Sequence, residues 1–286
     1  MKAVLVRYLS ADLSGVELAE IERPQGDILI RVRAASLNYP DLLMTQGKYQ
    51  FKPDVPFVSG LEMAGEVVKA PKASGLKPGD KVRGGAKTGA FAEYAALPAA
   101  SLRTIPAGLD FASAAAMGAA YQTAYVALVE IGRLQAGQTV LVHGASGGVG
   151  LAACDLARAM GAQVIAATHS ADKLEQLHTI AKPHAAICNT GRFREDVAEI
   201  TDGRLCDLVY DPIGGDVFAA AAPGRAAPRG AVFPPLRGGA LDRPGAQRSR
   251  AVGRKCLFGE SREPCSGAPA ACWLPRTSRA PMADPG

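Results

Sequence analysis

The sequence predicts an α/β chain in which a β-rich first part precedes a doubly wound parallel sheet that stops short. Three observations carry that prediction. Up to about residue 100 the chain consists of short apolar or alternating runs punctuated by Pro and Gly. From Thr139 to Ser170 it alternates strand, glycine-rich turn, helix and strand. Aromatic residues make up 6% of a chain that is 48% hydrophobic, which suits an Ala-, Val- and Gly-rich interior better than a sandwich. At 286 residues two domains are expected, with no internal repeat.

The elements follow in order. "KAVLV", "DILIRVRAASL", "MAGEVVKA", "DKVRGG" and "AFAEYAALPA" read as strands, separated by breakers such as "KPDVPFVSG" and "GLKPGD". Their regular spacing suggests a compact, partly closed sheet over residues 1–110. "LDFASAAAMGAAYQTAYVALVEIG" is helical in composition and opens a second domain over 111–222. "TVLVHG", "GGVGLAACDLARAMG" and "QVIAATHS" form a β-α-β unit. The helix "ADKLEQLHTI" and the strand "CDLVYD" continue it. Phe111–Val129 is a long uncharged stretch, and a membrane span needs roughly 20 apolar residues. Its Ala, Ser, Gln, Thr and Gly gain little from lipid, so it reads as a soluble helix with a small-residue packing face, and no membrane partner is expected.

Beyond Ala222 the pattern is lost. Residues 223–286 read as a Pro/Arg-rich irregular tail with no helical or strand period. From Ala222 onward there are 11 Lys and Arg against 4 Asp and Glu, while the rest carries 21 against 23. The basic character of the chain therefore belongs to the tail. Ten of its basic residues are Arg, and it holds 10 of the 20 prolines. Without a basic period or interleaved aromatics, no nucleic-acid partner is expected. A doubly wound domain rarely stops after about four strands. The preferred reading is that the chain has left its proper frame and lost its own ending, over that of a disordered tail.

The six cysteines form no CxxC pair, and the N-terminus has too short an apolar run for a secretion signal. Both features point to a reducing cytoplasm.

The turn after "TVLVHG" carries a phosphate-cradling pattern. Ala145, Ser146, Gly147, Gly148, Val149 and Gly150 stand in the G-x-G-x-x-G fingerprint, with Ala145 in place of its first Gly. Gly147 would let backbone approach a pyrophosphate, Gly150 would let helix and strand pack closely, and the helix N-terminus would face the phosphates. The alternative is a packing turn with no ligand. The next strand ends "AATHS" without the carboxylate that accepts from a ribose 2′-hydroxyl. Ser170 and Lys173, with His169 adjacent, could hold a 2′-phosphate instead, which favours NADPH as cofactor. Otherwise Lys173 is an ordinary exposed lysine, and Asp172 a helix cap.

With these residues in view the chain resembles the medium-chain dehydrogenase/reductase superfamily, and most of all its zinc-independent NADPH:quinone oxidoreductases. The resemblance covers about Met1 to Phe218 and rests on "ASLNYPDLLMTQGKY", "PFVSGLEMAGEV", "AFAEYAAL", the run from "TAYVALVEIG" through "QVIAA", and "CDLVYDPIGG". It implies a GroES-like β-rich domain, a Rossmann domain and a nucleotide in the cleft between them. Ser36 and Leu61 stand near the positions that hold Cys and His in the zinc branch, and no Cys precedes Cys154, so no metal is expected. The implied chemistry is direct hydride transfer from NADPH to a quinone or other α,β-unsaturated carbonyl.

By resemblance, Asn38 and Asp41 lie beside the nicotinamide pocket, Tyr49 reaches the substrate side and Thr123 contacts the nicotinamide end. Tyr49 or Tyr39 could donate to a developing oxyanion. The alternatives are that Asn38 satisfies a turn, Asp41 caps a helix and the tyrosines pack. An enoyl or acryloyl thioester reductase and a non-catalytic NADPH-binding protein are the rival readings. Asn189 occupies roughly the place of a Tyr near the adenine pocket in relatives. Relatives also continue past "DPIGGDVF" with further strands, and they pair as homodimers through an edge that the altered ending would remove. Missing strands would expose unpaired backbone and apolar surface against a folding stability of only about 5–15 kcal/mol. The chain is accordingly expected to be poorly active or to aggregate.

Overall fold

The computed structural model describes residues 1–188 and 192–214, and the backbone of 230–232. Asn189 and the remainder of the tail lie outside the described residues, and with them the expectations of a lost ending, aggregation and impaired dimerisation.

The first domain contains β1 (Lys2–Val6), β2 (Val16–Glu20), β3 (Leu29–Ser36), α1 (Tyr39–Thr45), β4 (Phe57–Val58), β5 (Glu62–Lys69), β6 (Lys81–Gly85), β7 (Tyr94–Ala96) and β8 (Leu102–Thr104). They form an antiparallel sheet in the order β7-β3-β5-β6-β8 and a smaller one in the order β2-β1-β4. Ile30, Met63, Val67, Val82 and Leu102 fill the core between the strands. β5 is central, and at Gly65 a Cβ would meet the Ile30 side chain at 2.9 Å, so this close strand approach needs glycine. The sequence did not disclose β2, β4 and β8. Each is short or half-exposed, and β2 alternates poorly because its outer face meets no core.

The stretch expected to be helical divides at Met117–Gly118. α2 (Phe111–Ala116) is capped by Asp110, whose carboxylate accepts the Ser113 N–H at 2.9 Å. Its Ala114 and Ala115 pack on Ala64 of β5, so α2 lies on the first domain although the boundary drawn from sequence assigned it to the second. α3 (Ala119–Tyr125) runs into a π-helical turn at Val126–Ile131 and packs with the second domain.

The second domain contains β9 (Thr139–Val142), α4 (Gly148–Ala159), β10 (Gln163–Thr168), α5 (Leu174–Ile180), β11 (Ala185–Cys188), α6 (Phe193–Ile200), β12 (Leu208–Tyr210) and β13 (Gly230–Val232). The sheet runs β11-β10-β9-β12-β13, all parallel. Strand alternation sorts the core into two layers. Val140, Val142, Val164, Ala166, Leu208 and Tyr210 face α3 and α4. Leu141, Ile165, Ala167 and Val209 face Phe193 and Val197 of α6. Such near-continuous apolar strands are what helices on both faces require.

Three elements correct the sequence reading. β11 and α6 stand where only a departure from the family pattern was noted. β13 lies within the tail read as lacking any strand period, with Leu208 opposite Gly230 and Tyr210 opposite Val232. Three residues are too few to show a period, and β12 supplies the partner that local propensity does not.

Burial pushes the thiols of Cys154 and Cys206 up to about 12. The thiolate is the reactive form. Alkylation of the native chain at pH 8 is therefore expected to mark half-exposed Cys188 and to spare Cys154 and Cys206 until denaturant is added, as read by peptide mass mapping. Rapid native labelling of Cys154 would show that α4 is not seated as described.

Candidate functional site: a cleft at the sheet's switch point

The order β11-β10-β9-β12-β13 reverses direction between β9 and β12, which opens a crevice at their carboxyl ends. The chain leaves β9 through buried His143 and turns at Gly144, whose φ of +61° is in the left-handed region. The tight-turn glycine is therefore Gly144. Ala145, aligned with the first glycine of the fingerprint, is fully buried, and its N–H donates to Ala167 O at 3.0 Å. Gly147 is the N-cap of α4, and its own N–H donates to Gly144 O at 2.9 Å. Gly148, Val149 and Gly150 then form the first turn, where N–H groups have no intrahelical carbonyl. Gly147 and Gly148 are exposed, so this positive end of a helix is open to an anion. At Gly150 a Cβ would meet the Ala145 Cα at 2.8 Å, so glycine seats the helix on the turn.

The Ser146 and Thr168 hydroxyls lie 3.1 Å apart and tie the turn to the end of β10. Thr168 Oγ1 also accepts the Ser170 N–H at 3.3 Å. Ser170 is the N-cap of a short turn over Ala171–Lys173, the place that the sequence reading offered to Asp172. His169 and Lys173 are exposed, and Lys173 forms no ion pair among the described residues.

Two floor residues escaped the sequence reading. Buried Asp211, just past β12, accepts the N–H groups of Ile213 and Gly214 at 2.8 and 3.0 Å. His143 packs edge-on to Phe193, with ring centroids 5.3 Å apart. Burial holds its imidazole below the ordinary range, opposed by the Asp211 charge. The sequence signal was weak: one His and one Asp directly after apolar strand runs.

The first domain brings Asn38, Asp41 and Glu62 together. Asp41, 1% exposed, accepts the Asn38 N–H at 2.7 Å and so caps α1, the alternative to a role beside the nicotinamide. Burial, reinforced by the Glu62 charge and opposed by N–H donors of Asn38 and Leu61, raises its carboxyl to about 6. Asn38 Nδ2 donates to Glu62 Oε1 at 2.7 Å. Glu62 Oε2 accepts the Ala119 N–H at 2.7 Å, a contact from β5 to α3 of the other domain. Thr123, also on α3, donates its hydroxyl to Ala119 O within its own helix at 2.7 Å. Tyr49 is half-buried in an apolar cluster with Met44, Phe51 and Leu61, and Lys87 lies over the Phe51 ring at 4.6 Å. Tyr39 is 51% exposed.

The turn, the open N–H groups and the exposed Lys173 fit a dinucleotide. A catalytic zinc does not fit: Leu61 offers no donor and Ser36 a poor one. Among the described residues no three His, Cys, Asp or Glu converge to hold a metal ion. Among them, too, no helix is long and apolar enough to cross a membrane.

A GroES-like β domain joined to a Rossmann sheet with a glycine turn at its switch point defines a two-domain α/β architecture. Residues 24–107 match the family described as alcohol dehydrogenase GroES-like domain, and 148–233 the one described as zinc-binding dehydrogenase. A quinone oxidoreductase-like protein 2 homolog of Nematostella vectensis is 40% identical over 194 residues, covering 67% of this chain and 53% of its own length. A probable oxidoreductase from Mycobacterium abscessus superposes with a TM-score of 0.74 at 36% identity, over 82% of this chain and 79% of that one. The quinone oxidoreductase of Thermus thermophilus, solved also with NADPH, gives 0.66 at 31%, over 77% and 70%. The chain belongs to the medium-chain dehydrogenase/reductase superfamily, within its quinone oxidoreductase family. It spans about half the length of the curated relatives it matches.

Proposed function

We propose that the chain reduces quinones or related α,β-unsaturated carbonyls with NADPH and without zinc. The observation that carries this reading is the end of β10, where Ser170 and exposed Lys173 replace a carboxylate beside a glycine-seated helix N-terminus. Bound NADPH would supply a hydride. The N–H groups of Gly148, Val149 and Gly150 hold the pyrophosphate. Ser146 and Gly147 shape its seat, with Ala145 packed beneath, and Ser170 and Lys173 hold the 2′-phosphate. Asn38 and Thr123 flank the nicotinamide from opposite sides of the cleft, and Asp41 keeps Asn38 in place. The apolar wall of Met44, Phe51 and Leu61 suits a flat, uncharged acceptor and excludes water from it. Half-buried Tyr49 donates to the oxygen that gains charge.

Turnover tests the acceptor class. NADPH oxidation with 1,4-benzoquinone is expected to exceed that with a crotonyl thioester by at least tenfold. The reverse order would favour an enoyl thioester reductase, and tight NADPH binding without oxidation by either would favour a non-catalytic role. Lys173→Glu is expected to weaken NADPH at least 30-fold, while NADH binding changes less than threefold. Equal losses for both would remove Lys173 from the 2′-phosphate site.

A further inference from the structure

We propose that Glu62 is a positioning residue whose carboxylate, buried where the two domains meet, fixes Asn38 against the start of α3 and so sets the nicotinamide end of the cleft. The inference rests on the dinucleotide reading above. Glu62 is 5% exposed, yet it forms no ion pair among the described residues. Its two oxygens take one donor from each domain: Asn38 Nδ2 at 2.7 Å and the Ala119 N–H at 2.7 Å. A buried carboxylate needs such donors, and the unpaired N–H groups opening α3 are suited to supply one. Asn38 Nδ2 also donates to Ser36 O at 3.3 Å. Both amide hydrogens are thereby used, and the amide's orientation is fixed.

The chain is shaped around this contact. α2 packs on the first domain and α3 on the second, so Met117–Gly118 is the joint between them. A Cβ on Gly118 would land on Glu62 Oε2, so glycine there leaves room for the carboxylate. Thr123 lies one turn along α3 from Ala119, so a shift of this joint moves Asn38 and Thr123 relative to each other.

The test uses the full chain and Glu62→Gln, Gly118→Ala and the Glu62→Ala/Gly118→Ala pair. The amide introduced by Glu62→Gln would present one acceptor where two donors converge. Glu62→Gln and Gly118→Ala are each expected to weaken NADPH at least fivefold while leaving affinity for 2′,5′-ADP, which occupies only the turn and the end of β10, within twofold. Amide exchange is expected to quicken at least tenfold in peptides covering 38–45 and 118–125, and not in β9 or β10. Adding Gly118→Ala to Glu62→Ala is expected to cost nothing more. Equal losses of NADPH and 2′,5′-ADP, exchange raised throughout the sheet, or additive effects of the pair would make Glu62 a general stabiliser and overturn the proposal. If the wild-type chain binds neither ligand, the dinucleotide reading fails, and the exchange pattern alone still decides whether Glu62 fixes the joint.

Discussion

Gly150→Val is expected to abolish NADPH binding, lowering affinity more than 100-fold, and to cost about 1–3 kcal/mol of stability. The first carbon of the new side chain would sit 2.8 Å from the Ala145 Cα and against the Gly144 carbonyl. Both are backbone atoms of a turn pinned to β10 through the Ala145 N–H and Ala167 O, so they cannot yield as a flexible side chain would. α4 must move instead. Its packing on α3 through Ala152, Ala153 and Ala157 is lost in part, and its free N–H groups are carried away from the crevice. Titration of NADPH fluorescence alongside a thermal melt measures both effects. A folded Gly150→Val chain that binds NADPH as the wild type does would show that the anion site lies elsewhere.

The second large effect is a pH dependence of stability centred on Asp41. Its carboxyl is raised from 3.8 to about 6, first by burial and then by the charge of Glu62. Folding therefore favours the protonated form. That contribution is fully present below 3.8 and is lost as the pH rises through about 6. A shift of this size corresponds to about 3 kcal/mol. Asp41→Asn removes the titration and keeps an acceptor for the Asn38 N–H. Relative to the wild type, the stability of this variant is expected to improve by up to about 3 kcal/mol between pH 4 and pH 8, read from denaturant midpoints at each pH. A difference independent of pH would mean that Asp41 is solvated and ionised throughout.

Much of this was legible from residue patterns. Apolar runs of four to six residues located β1, β9 and β10, and the strand-turn-helix order located the nucleotide turn. Spacing alone set the turn glycine one residue late, because a fingerprint counts positions, whereas the left-handed φ falls on Gly144. Glu62 stood in the quoted "SGLEMAGEV" and was passed over. An acid at the head of a strand looks like a solvated end until the Ala119 N–H, 57 residues away, is seen to cover it. β13 was hidden for a similar reason, since a three-residue strand is defined by its neighbour. Glu62 and β13 were both missed because the partner that defines each is brought in by the fold.

The central claim is that a phosphorylated nicotinamide nucleotide lies against the α4 turn with Lys173 on its extra phosphate. Parallel titrations of the wild-type chain with NADPH and NADH, on a sample shown by a cooperative melt to be folded, test it most directly. Saturable binding is expected, with NADPH at least tenfold tighter. Equal affinity for the two, or binding of neither, would contradict the claim.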